Sequence, residues 1–178
     1  MFYKIICTIF LLLCNVTGNA QTLKYEVAQK PWAAGLGNHR AILTINKPAN
    51  AVGLNIRWRL HDLHPDKKRF LIMNATTGDT IQNVYRISVS DERCDIAFGP
   101  VTKRGKYYFY YLPYKPDTNA GYYQYGYLFP KMPDAEWIDK NHLSDKTNIS
   151  KLTSASCEVL ESRTEFDSFY PMEIIGNL

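Results

Sequence analysis

Residues 52–60 alternate with a period of two. Leu54, Ile56, Trp58 and Leu60 point to one side, and Asn55, Arg57, Arg59 and His61 to the other. That spacing marks a strand with one buried face. Similar patterning predicts strands over 23–28, 39–45, 70–73, 80–89, 93–98, 106–114, 156–163 and 169–175. Turn chemistry separates them at Asn46-Lys47-Pro48, Ala75-Thr76-Thr77-Gly78-Asp79, Gly99-Pro100 and Arg104-Gly105. About eight or nine short strands so closely spaced favour a mainly β fold, an antiparallel β-sandwich, over alternating βαβ units. One short helix is expected at Pro133–Lys140, where Pro stands at the entry and acids fill the first turn. It sits in a long, otherwise strand-poor loop over 116–154, the kind of connection that often binds something.

The first twenty residues break the pattern. Ile5 to Leu13 carry no charge, and the run is too short to span a bilayer, which takes about 20 helical residues. It suits a secretory leader, with Gly18 and Ala20 at the −3 and −1 positions of a cut before Gln21. The expected location is periplasmic or secreted, with no stable membrane span. Lipid attachment at Cys14 is the rival, disfavoured because Leu13 is not small. Residues 21–178 then form one domain, long enough to bury a core without staples.

Composition changes the picture little. Among 178 residues, Lys+Arg number 21 and Asp+Glu 17, and the +4 balance is too small and dispersed to point to nucleic acid. Two cysteines, Cys94 and Cys157, lie beyond the leader in a compartment that permits disulfides. Separate buried thiols and one disulfide both remain open, the thiols being the favoured reading. Tyr, at 13 residues, is the compositional outlier.

Most candidate chemistry dissolves on inspection. His61-Asp62-Leu63-His64 looks like a metal cluster but ends a strand and has no second cluster to complete it. Gly35-Leu36-Gly37 lacks the third glycine and following helix of a phosphate cradle. Neither a nucleophile elbow nor an H-E-x-x-H motif occurs. Asp91, Glu92, Glu165, Asp167 and Glu173 could pair for glycoside hydrolysis, but spacing in the chain does not fix spacing in the fold. No catalytic residue, metal or cofactor is assigned.

Two features stand out. The row Arg57, Arg59 and His61 is either a solvated outer face or a basic contact for carboxylates of another domain or for an acidic or hydroxylated ligand. The run from Tyr107 to Tyr114 is aromatic on both faces, so its second face should be covered by a loop or a neighbouring domain. Tyr110, Tyr111 and Tyr114 join Arg57, Arg59 and His61 as candidate interface or sugar contacts, because Tyr has a large ring and a polar tip.

Four segments together carry a resemblance: Gly37-Asn38-His39-Arg40-Ala41, Trp58-Arg59-Leu60-His61-Asp62, the strand Gly105 to Tyr114, and Arg163 to Glu173. In this order they resemble the N-terminal β-sandwich domain of secreted bacterial proteins related to glycoside hydrolase family 123. The resemblance implies an accessory domain preceding a (β/α)₈ barrel. In that family the barrel's Asp–Glu pair cleaves N-acetylgalactosamine linkages with help from the substrate's acetamido group. Such a barrel takes about 250 residues, so no family catalytic residue maps onto this chain. The expected function is therefore a non-catalytic accessory domain, with a C-terminal barrel as partner and a glycan as candidate ligand. An independent carbohydrate-binding module is the alternative.

Overall fold

The computed structural model describes residues 23–62, 64–111, 113–117, 124–171 and 174. The expected leader at 1–20, including Cys14, lies outside the described residues. Ten strands are present among the described residues: β1 (Lys24–Val27), β2 (His39–Ile45), β3 (Val52–Arg57), β4 (Leu71–Asn74), β5 (Asn83–Val89), β6 (Arg93–Gly99), β7 (Gly105–Tyr110), β8 (Tyr114–Asp117), β9 (Gln124–Tyr127) and β10 (Thr153–Ser162). Among the described residues two short helices lie between β9 and β10, α1 (Ala135–Lys140) and α2 (Lys146–Ile149). Eight strands share one sheet in the order β4-β7-β2-β10-β3-β6-β5, with β1 added on β10, and β8 and β9 form a separate hairpin.

The sheet is mixed and curls into a half-barrel, which corrects the antiparallel sandwich expected from the sequence. The difference resides in β10. Its first residues, Thr153–Ala155, run parallel to Val52–Leu54 of β3. From Ser156 onward it pairs antiparallel with β2, with a register shift between Cys157 and Val159. Its last residues, Val159–Ser162, also run parallel to β1. Alternation along a strand says which face is buried, not which neighbour it meets or in which direction. The bulge bends the strand and lets it serve both halves of the curl.

The concave side is the core. Ala41, Leu43 and Ile45 from β2, Leu54 and Ile56 from β3, and Ile96 and Phe98 from β6 are all buried there. Regular pairing of β3 stops at Arg57, yet the alternation continues: Trp58 and Leu60 are buried, while Arg57 and Arg59 are exposed. Trp58 lies across the core against Phe109 (6.1 Å between ring centroids) and Tyr111 (5.1 Å), and its Nε1 donates to the Ser90 carbonyl at 2.9 Å. Cys94 and Cys157 are both buried as thiols and form no disulfide.

The helix expected at Pro133–Lys140 is present as α1, and α2 follows it as a second helix among the described residues. Asp134 caps α1 by accepting from the Trp137 N–H at 2.9 Å, and Asp145 caps α2 through the Thr147 N–H at 2.8 Å. Leu143, between them, buries itself on Ala51 and Ala97 of the sheet's outer face. The segment 169–175, expected as a strand, forms none among its described residues; Ile174 N–H instead reaches back to the Tyr170 carbonyl at 3.3 Å.

The outer face of β7 is covered as well. Arg40 on β2 sets its guanidinium over the rings of Trp32 (4.3 Å to the centroid) and Tyr108 (3.7 Å). Its Nε and Nη2 both donate to Glu161 Oε2, at 2.7 and 2.6 Å, and its Nη1 to the Tyr110 hydroxyl at 3.2 Å. With two rings against it and the fork bonded, this guanidinium rivets the 28–37 loop to β7, β2 and β10.

Candidate functional site: the loop end of the half-barrel

Strand register brings distant segments to one end of the sheet. Leu71, Tyr110, Arg40, Glu161 and Glu26 lie in one row across β4, β7, β2, β10 and β1. One step beyond that row the chain leaves β7, β10 and β1 and enters β2 and β4. The loops after Val27, before His39, before Leu71, after Tyr110 and after Ser162 therefore share this end. Because β3 runs parallel to β10, the segment 58–62 arrives there too.

The segment after β10 is latched down across this end. Arg163 N–H donates to the Asn38 carbonyl at 2.8 Å, and the Thr164 hydroxyl to Asp167 Oδ2 at 2.7 Å. The Arg163 guanidinium lies 3.4 Å from the same carboxylate oxygen. His39 Nε2 meets the Asp167 carbonyl at 2.5 Å; a carbonyl only accepts, so Nε2 carries the proton. Phe169 stacks on the His39 ring at 4.2 Å and meets Tyr25 edge-on at 4.8 Å. His61 packs against Tyr170 at 4.8 Å.

A ring-to-ring chain thus joins Trp58, Tyr111, His39 and Phe169. These are one residue from each of the four segments singled out in the sequence. The contacts of the latch were not readable there, because His39 and Asp167 are 128 positions apart. The only cue was that each segment stands at the mouth of a strand.

Outside the latch the surface turns apolar. Phe166 is fully exposed, Phe129 is 83% exposed and Tyr170 is 59% exposed. Phe129 reaches this end because Arg69 pins its segment, donating from its backbone to the Leu128 carbonyl at 2.7 Å and from Nε to the Phe129 carbonyl at 3.0 Å. Behind them, Asp62 accepts from the His64 N–H at 2.9 Å and pairs with Lys68, whose ammonium is lowered in pKa by burial. Asp62 is thus engaged locally in a turn. Among the described residues no three His, Cys, Asp or Glu side chains converge as metal ligands, and no helix is long and apolar enough to cross a membrane.

The residues singled out from the sequence divide between places. His61 belongs to this end. Arg57 and Arg59 are exposed, Arg57 directly opposite Arg93 on β6. Tyr110 is 4% exposed and Tyr111 is fully buried, so neither offers a ring face to solvent. Tyr114 opens β8, and its side chain lies outside the described part of the chain.

A family model described as "Glycoside hydrolase 123, N-terminal domain" matches residues 30–163. The match takes in the first three motif segments and stops at Arg163, the first residue of the fourth. Comparisons with curated proteins and with solved structures returned no significant match. A match over well over half of the chain, on segments that the fold draws together at one end of a mixed β half-barrel, places this chain in the N-terminal domain family of glycoside hydrolase family 123.

Proposed function

We propose that the chain acts as a non-catalytic accessory domain that docks a (β/α)₈ barrel of the family 123 type against its loop end. The observation that carries this is the exposure of Phe166, Phe129 and Tyr170 around a tightly latched aromatic floor. Single exposed apolar side chains are ordinary, but several large rings on one rigid end mark a contact surface. Three aromatic rings on a fixed support are the kind of anchor that dominates interface energies. In this reading residues 1–20 are the export leader, removed before Gln21.

The chemistry of the latch argues against turnover at this end. Asp167 is held by Thr164 and Arg163, and its neighbour Glu165 shares its three-residue 3-10 turn. Glycoside cleavage needs acids disposed on two sides of one bond. The alternative, a carbohydrate module built on the Tyr107–Tyr114 strand, has against it the burial of Tyr110 and Tyr111.

Sedimentation velocity tests the docking reading, using the chain mixed with a barrel domain from a glycosidase of the same family. The expected result is a one-to-one complex, lost when Phe166 and Phe129 are both changed to Asp. The chain alone should release no aryl aglycone from N-acetylgalactosaminides. Absence of a complex, or turnover that disappears in Glu165→Gln, would overturn the reading.

A further inference from the structure

β4 and β5 end the main path of the sheet, and the curl brings them together. Arg86 of β5 sets its guanidinium 4.6 Å from the centroid of the Phe70 ring, just before β4, and donates from Nη2 to the Lys68 carbonyl at 2.5 Å. The link between the two strands runs along the same seam. Thr80 bridges to Met73, and the Ile81 N–H donates to the Ile72 carbonyl at 2.8 Å. Within the seam lies a small, partly enclosed cavity of about 140 Å³.

Strand parity turns Arg86 inward. Val84 pairs with Phe98 and Arg86 with Ile96, so both side chains face the concave, apolar side. A cation taken out of water there normally carries a counter-ion, because nothing else repays its lost hydration. Among the described residues no carboxylate pairs with Arg86, and its Nε is buried without a hydrogen-bond partner. Burial pulls its pKa below the ordinary guanidinium value, and Cys94 and Asp66 offset that only in part.

The rest of the lining adds to the excess. Arg69 and Lys131 stand at the same cavity, and no Asp or Glu does. Arg69 donates from Nε to the Phe129 carbonyl at 3.0 Å, and Lys131 Nζ to Gln82 Oε1 at 3.0 Å. Both acceptors are neutral, so these bonds fix the two cations in place and leave their charge unanswered. Three like charges around one small space repel one another until an anion enters.

Size and charge then decide the class of ligand. A volume of 140 Å³ equals that of roughly five waters at about 30 Å³ each. Drug-sized sites begin at about 300 Å³. A five-atom oxyanion fits. Guanidinium forks match the paired oxygens of phosphate or sulfate, and a dianion answers three cations better than a single carboxylate does.

We propose that the seam between β4 and β5 binds one small tetrahedral dianion, phosphate or sulfate, held by Arg86, Arg69 and Lys131. The proposal goes beyond the docking reading and needs no barrel. Isothermal titration calorimetry of the chain with phosphate and with sulfate tests it, at an ionic strength held constant with sodium chloride and with acetate as the carboxylate for comparison. One-to-one saturable binding of both dianions is expected, with acetate at least tenfold weaker. In ¹H–¹⁵N correlation spectra the amides of Thr80, Gln82 and Arg86 should move, and those of Phe166 and Tyr170 should not. Arg86→Met keeps a long side chain against Phe70; it should abolish phosphate binding without lowering the anion-free melting temperature, since it removes an unpaired buried charge. Lys131→Gln, at an exposed position, should weaken phosphate by about tenfold, the loss of one charge-assisted hydrogen bond. The proposal fails if no dianion saturates at constant ionic strength, if Arg86→Met binds phosphate like the wild type, or if acetate matches phosphate. Should Arg86→Met not fold, Lys131→Gln decides, and an unchanged affinity in it overturns the proposal. Phe166→Asp should bind phosphate as the wild type does, which separates a failure here from a failure of docking.

Discussion

Replacing Trp58 by Ala is the sharpest test of the core. The side chain is 1% exposed and touches Phe70, Phe109 and Tyr111, linking the segment after β3 to β7 across the curl. A buried Trp removes on the order of 200 Å² from water. At about 25 cal/mol per Å² this gives roughly 5 kcal/mol, an upper figure because unfolded chains bury some of that area already. Direct deletions of large aromatics fall at about 3–5 kcal/mol, so that is the expected loss. The hydrogen bond to the Ser90 carbonyl adds little, since Ser90 is exposed and water can replace the indole. Arg57→Ala on the facing side should change stability by less than about 0.5 kcal/mol, and could raise it by relieving the like charge of Arg93 directly opposite. Urea unfolding followed by far-ultraviolet circular dichroism reads both. The Trp58→Ala midpoint should fall by about 2 M with an unchanged slope. Equal losses in the two variants would refute the assignment of faces.

Arg40→Ala should cost about 2–3 kcal/mol, between the limits for exposed and buried pairs, because Glu161 is left 15% exposed without its partner. Arg40→Lys should recover less than half of that, since an ammonium neither stacks on two rings nor bonds through a fork; a double-mutant cycle with Glu161→Gln isolates the pair. Burial pushes the Cys157 thiol up to about 12, from an ordinary 9, and Cys94 in the same direction. The folded state therefore holds these protons more tightly than the unfolded chain. The Cys157 contribution is whole below pH 9 and drains away between pH 9 and 12, at about 1.4 kcal/mol per pH unit. Cys157→Ala should flatten the alkaline fall in urea stability relative to wild type, and parallel curves would refute this.

Most strands could be read because each carries its own alternation. β2 matches its expected bounds, and the faces of the 52–60 segment are as the pattern requires. The aromatic run 107–114 signalled a covered second face, and Trp32 and Arg40 supply that cover for Tyr108 and Tyr110. Other features had no local signature. The run splits between β7 and β8, and β9 lies where Pro, Gly and Asn obscured any alternation. Four residues of α2 are too few to establish a helical period, leaving the Asp145 cap as its only cue. The loop end depends on contacts such as that of Arg40 with Glu161, 121 positions away, and the seam cavity on how the curl brings β5 to the residues before β4. Those facts belong to topology, which hydrophobic periodicity does not encode.

The double allegiance of β10 also bears on how the chain is made. It is the last of the described strands in sequence, yet it joins the β4-β7-β2 half to the β3-β6-β5 half. Chains emerge from the amino end, so both halves exist for a time with facing edges unpaired and the concave apolar side open. Closing them requires residues 153–162 to meet partners as much as a hundred or more positions earlier, and such distant pairings fold slowly. During that interval the exposed edges are templates for pairing with another nascent chain. Ten residues made after every other described strand of the sheet thus decide whether those strands become a domain or an aggregate.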